Sequence, residues 1–124
     1  MHLARRAQAA REARDAISQL NGNLDGPLLS DLRLLVSEMV ANRVAASARG
    51  PAEWLELHLD ANDHNVHVRL VDVGRHWVFE PAPHSFDPED SSGWSLYLID
   101  RLADRWGVER ADPAITIWFE LARD

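Results

Sequence analysis

Apolar positions along the chain change their spacing as it proceeds. Over residues 3–20, Leu3, Ala7, Ala10, Ala13, Ile17 and Leu20 recur at helical intervals in an Ala-, Arg- and Glu-rich segment, which predicts a first helix. Asn21, Gly22 and Asn23 follow it, and such residues tolerate the left-handed backbone that ends helices. A second helix is predicted over residues 27–48, with Pro27 suited to its first turn and Gly50-Pro51 ending it. At roughly 100° per residue, Leu28, Leu32, Leu35, Met39 and Ala46 form one apolar stripe along this helix. Glu38 and Asn42 lie at the edge of the stripe, not opposite it.

The period then becomes two. In WLELHLD, Leu55, Leu57 and Leu59 alternate with Trp54, Glu56 and His58, and in VHVRLVD, Val66, Val68 and Leu70 alternate with His67, Arg69 and Val71. The short turn at residues 60–63 makes these two strands an antiparallel hairpin. Residues 74–92 carry Pro81, Pro83 and Pro88 and no periodicity, as a functional loop would. Leu96, Ile99, Leu102 and Trp106 predict a third helix, opened by Ser91-Ser92-Gly93. WGVERA and, beyond Asp112-Pro113, ITIWFEL predict a closing strand pair, with Ile115, Ile117, Phe119 and Leu121 on one face. Three helices and about four strands predict a two-layer α/β (α+β) sandwich. Its sheet is mixed but largely antiparallel, and the three helices cover one face. The expectation is a single domain over residues 1–124, with 75–92 as a lid or loop.

Composition narrows the function classes. A chain of 124 residues is long enough to bury one core, and 46% hydrophobic with 27% charged residues is ordinary for a soluble globular protein. A net charge of −7 without any basic block argues against a nucleic-acid binder that neutralises phosphates. No apolar run approaches the roughly 18 residues of a membrane span, and the start does not resemble a secretory signal. The lack of cysteine fits the cytosol, so a cytoplasmic protein is expected. All 13 positive side chains are arginine, which excludes a P-loop lysine, a Schiff base and a kinase-type strand lysine. A phosphate would have to be held by arginine, backbone amides, a helix N-terminus or a metal.

The candidate chemistry begins at Glu38 and Asn42. Residues four apart share a helix face, and a carboxylate and an amide at a core border are costly unless hydrogen-bonded or used. The Asn42 carbonyl oxygen suits Mg²⁺, and Glu38 suits a general base beside it; the competing expectation is a solvated helix edge or a cap. Asp72 at a strand end can accept from an amino group such as that of adenine, with Gly74 allowing close approach; the alternative is a strand-to-loop Asp with a turn glycine. Gly93 before a helix can form a phosphate-binding lid or simply start the helix. His64 and His67, three apart on a strand, would face opposite ways and make a poor metal pair.

Taken in order, these segments resemble the ATP-binding domain shared by histidine kinases, gyrase-type ATPases and anti-sigma-factor serine kinases. The likeness is strongest to short, single-domain anti-sigma-factor kinases of actinobacterial type. SEMVAN resembles the Asn-bearing helix motif, VDVG the Asp-x-Gly motif, SSGWSLYLIDRLADRWGV the glycine lid and its helix, and ITIWFEL the last strand. The resemblance implies Glu38 as base, Asn42 as Mg²⁺ ligand, and Asp72 with Gly74 at the adenine. It implies Gly93, Ser95 and Leu96 in the lid, and Thr116 beside the adenine–Asp72 contact. It further implies ATP and Mg²⁺ as cofactors and protein serine/threonine kinase activity in transcription regulation. The implied partners are a sigma factor and an anti-sigma antagonist, with room for a homodimer. Departures from the pattern are Arg43 after the key Asn, Ala46 where a histidine is common, His76 for a second glycine, and Ser95 for a lid glycine. The family's extra strand before the first helix is also missing from the predicted order. These departures motivate an alternative, a module of the same fold that binds a protein partner and no longer binds or turns over ATP.

Overall fold

Strand alternation and helix stripes meet in one core. The computed structural model describes residues 1–4, 6–19, 24, 26–46, 54–73, 91–111 and 114–123. Its elements are β1 (His2–Ala4), α1 (Ala9–Ser18), α2 (Gly26–Ala46), β2 (Trp54–Ala61), β3 (Asn65–Val73), α3 (Ser91–Leu102), β4 (Arg105–Ala111) and β5 (Ala114–Ala122). The five strands form one sheet in the order β1-β2-β3-β5-β4, and every pairing is antiparallel. The sheet is therefore antiparallel throughout the described residues, in keeping with the largely antiparallel sheet expected.

Side chains two apart along a strand share a face. Leu55 and Leu57 of β2, Val66, Val68 and Leu70 of β3, and Ile115, Ile117, Phe119 and Leu121 of β5 are all buried. They join Ala9, Ala13 and Ile17 of α1, Leu32, Leu35, Val36, Met39 and Val40 of α2, and Leu96 and Ile99 of α3 in one apolar cluster. This is the expected two-layer arrangement, with helices against one sheet face. The central helix α2 is buried beyond its expected stripe, because Val36 and Val40 also enter the core.

The N-terminal segment differs from its expectation. Leu3 belongs to a strand, not to the first helix, and it is fully buried opposite Leu55. The Met1 amino group donates to the Leu57 carbonyl at 3.0 Å, and the Leu57 amide donates to the Met1 carbonyl at 2.9 Å. The strand before the first helix is thus present in short form. Three residues are too few to show a period of two, and Leu3 also happens to fit the helical spacing of the alanines behind it. The helix itself starts at Ala9, and its buried stripe is Ala9, Ala13 and Ile17, with Ala7 exposed.

Local chemistry holds the hairpins in register. The Asn62 side-chain oxygen accepts from the amides of His64 at 2.7 Å and Asn65 at 2.9 Å, closing the β2–β3 turn. Trp106, expected on the third helix, stands in β4 because α3 ends at Leu102; its indole N–H donates to Asp100 of α3 at 3.1 Å. Gly107 pairs with Trp118, and a β-carbon at Gly107 would stand 2.7 Å from the indole nitrogen. On this open face Trp118 stacks on His67 with ring centres 5.6 Å apart.

Candidate functional site

The site follows from where α2 crosses the sheet. Helix α2 places Glu38 and Asn42 one turn apart, with Glu38 half-buried and Asn42 buried. The next residue, Arg43, is also buried, and it points at Asp72. Asp72 occupies the last core-facing position of β3, continuing the series Val66, Val68 and Leu70. The Arg43 Nε–H donates to Asp72 Oδ2 at 2.9 Å, and the two side chains are only 2% and 1% exposed. A charge so far from water persists only when paired, and this bond pairs the two charges.

The neighbours of Asp72 in the sheet are Leu55 on β2 and Ile115 on β5. This corrects the expected place of Thr116. Thr116 pairs with Val71 and lies on the other face of the sheet, half-buried, while the core-facing residue opposite Asp72 is Ile115. The alternation along β5 decides this: Ile115, Ile117, Phe119 and Leu121 take the helix side and leave Thr116, Trp118 and Glu120 on the open side.

The expected lid residues are reached only in part. Gly93 and Ser95 lie within α3, which begins at Ser91, so Gly93 sits inside the first turn. Leu96 is a core residue of α3, 1% exposed. Gly74, His76 and residues 75–90 of the expected lid lie outside the described residues. His67 makes no approach to a metal pair with His64: its ring is turned to Glu120, Nδ1 to Oε2 at 3.2 Å, and stacked on Trp118.

The structure sets Glu38 and Asn42 one turn apart on α2, joins that helix to Asp72 through Arg43, and puts Thr116 on the other face of the sheet. Arg43 is the residue that sequence reasoning left without a role. Its signal was present in the pattern: Arg43 follows Met39 by four and Val36 by seven, so it stands on the apolar side of the helix. A guanidinium there requires an acceptor, and the core-facing end of β3 offers a carboxylate. Two halves of the arrangement differ as a site for ATP and Mg²⁺. The Asn42 amide has an oxygen of the kind Mg²⁺ accepts, with phosphates and water as its other ligands. The adenine half does not fit as it stands, because the Asp72 carboxylate is enclosed and engaged by Arg43, and its β5 neighbour is an apolar Ile115.

None of the described helices is long and apolar enough to cross a membrane. Comparison with curated proteins gives no significant match. The family model of the histidine kinase-like ATPase domain matches residues 3–120, nearly the whole chain from β1 into β5, and the chain belongs to that family.

Proposed function

We propose that this chain is a regulatory protein of the anti-sigma-factor serine kinase type. It binds a sigma factor and phosphorylates a serine on the antagonist protein that competes for it. The observation that carries the reading is the pairing of Glu38 and Asn42 one turn apart on α2, on the helix that reaches Asp72. In this reading Glu38 orients the serine hydroxyl and Asn42 holds Mg²⁺. In this reading Gly93, in the first turn of α3, offers its backbone amide to phosphate oxygens, and Ser95 follows it in the lid helix. The protein works in the cytoplasm, where sigma factors act. The test is transfer of phosphate from ATP to a serine of the antagonist, followed by mass spectrometry with Mg²⁺ present. Transfer is expected for the native chain and lost in Glu38→Ala. Absence of transfer in the native chain sinks the kinase reading.

A second reading is favoured by the Arg43–Asp72 pair: a module of the same fold that binds its partner without nucleotide. It predicts a partner complex whose affinity is the same with and without ATP. Nucleotide-dependent affinity, or phosphate transfer, would rule it out.

A further inference from the structure

We infer that the outer edge of β4 docks a second copy of this chain, the two β4 strands pairing antiparallel about a two-fold axis through Gly107. The inference stands apart from the proposed kinase activity. A strand at a sheet edge presents unpaired amides and carbonyls, and proteins commonly blunt such edges by keeping them short, charged, bulged or covered. The two edges of this sheet differ in length. β1 has three residues, His2–Ala4, whereas β4 has seven, Arg105–Ala111. β4 pairs with β5 on its inner side, and among the described residues no strand pairs with its outer side. It contains no proline, and its charges are of both signs, so they disfavour most strands and admit one of matching pattern.

That pattern is matched by β4 itself. A two-fold axis perpendicular to the sheet pairs residues equidistant from its centre and keeps the same face of both copies on one side. Centred on Gly107, it sets Arg105 opposite Glu109 of the second copy and Glu109 opposite Arg105 of the second copy. Both residues lie on the open face, with Glu120 and Thr116 beside them in β5, and both are exposed. On the helix side Trp106 meets Val108 of the second copy, again twice; both are half-buried, packed on their own core with the remaining surface at the edge. Arg105 reaches Glu120 of its own chain at 3.5 Å while 74% exposed, and a guanidinium with five donors keeps capacity for a second carboxylate. The same residues decide the register. Moving the axis to Val108 sets Arg105 against Ala111 and Glu109 against Gly107, and moving it to Trp106 sets Arg105 against Gly107, so neither makes a charge pair. Asp104 and Arg110, the next pair out from Gly107, are also opposite in sign. Both already hold contacts within their own chain, Asp104 to the Ala122 amide at 2.7 Å, so the attraction rests on Arg105 and Glu109.

The experiment is sedimentation velocity of the whole chain over about 1–100 µM, a range that brackets a micromolar dissociation constant. The native chain is expected to dimerise within it. Arg105→Glu and Glu109→Arg each set like charges opposite one another twice and should weaken the dimer at least about tenfold. Mixed in equal amounts, the two variants should associate with each other, because each then meets its opposite charge. The double exchange, Arg105→Glu with Glu109→Arg, should dimerise as the native chain does. Both positions are exposed, so the variants are expected to fold, which circular dichroism checks; if one does not, weakening in the other carries the test. A native chain that stays monomeric up to about 100 µM overturns the inference. So does a native dimer that keeps its strength in a folded single variant, since its interface then lies elsewhere. Single variants that dissociate alone and do not associate when mixed overturn the register and the inference with it.

Discussion

Replacing Arg43 by methionine should destabilise the protein far more than its loss of contacts suggests, and replacing Asp72 as well should return most of the loss. The pair sits in the core, with the guanidinium Nε 2.9 Å from the carboxylate oxygen and both side chains almost wholly screened from water. Arg43→Met keeps much of the hydrocarbon stem and takes the guanidinium from a buried carboxylate, a change that costs about 3–5 kcal/mol. Against a total stability of about 5–15 kcal/mol for a domain, that is at least about a fifth of the reserve. With an unfolding entropy of roughly 2.1 cal/mol/K per residue over this chain, each kcal/mol lowers Tm by about 4 °C, so a fall of about 12–20 °C is expected. The double variant Arg43→Met with Asp72→Leu removes both charges and fills the space with apolar atoms. Such replacements run from neutral to stabilising by about 1–4 kcal/mol. Urea unfolding of the native chain, the two single variants and the double variant gives the coupling energy directly. Two results would refute the reasoning: a loss below about 1 kcal/mol in Arg43→Met, or a double variant as unstable as the two single losses added together.

Other perturbations test the frame around the site. Leu3→Ala empties a fully buried position of β1 and should cost about 2–5 kcal/mol in urea unfolding; a loss under about 0.5 kcal/mol would mean that β1 does not pack as described. Gly107→Ala sets a methyl group 2.7–2.9 Å from the Trp118 indole and should cost about 1–3 kcal/mol, most of it recovered when Trp118 is replaced by leucine. Asn62→Ala removes the acceptor for two turn amides and should lower stability by about 1 kcal/mol, whereas Asn62→Asp, which keeps the acceptor, should cost less.

Much of the fold was legible because its periods are clean. The leucines of WLELHLD and the isoleucines of ITIWFEL alternate over enough residues to announce both the strand and its inward face, which is buried as expected except at Leu59, only half-buried at its strand's far end. Where a segment is short, alternation carries no information. At β1, one leucine between a histidine and an alanine fits either period, and its strand state is decided by hydrogen bonds to residues more than fifty positions away. Trp106 shows a related failure. It continues the spacing of Leu96, Ile99 and Leu102, yet the helix ends at Leu102, and the indole reaches back to Asp100 from a strand instead.

The site was legible in its parts and misread in two of its relations. Thr116 is polar and lies near the right end of the last strand, so it attracts a binding role; one step of register transfers it to the opposite face and gives its place to Ile115. Arg43 was visible as a departure after Asn42, but a departure read along the chain has no direction in space. Only the packing of α2 on β3 shows that its guanidinium ends on Asp72. That contact changes the meaning of the neighbouring residues, because a motif reports which groups are present and not which of them are already engaged. Glu38 and Asn42 keep the chemistry that their types allow. Asp72 keeps its type and is engaged from within the chain by Arg43, which the motif alone could not report.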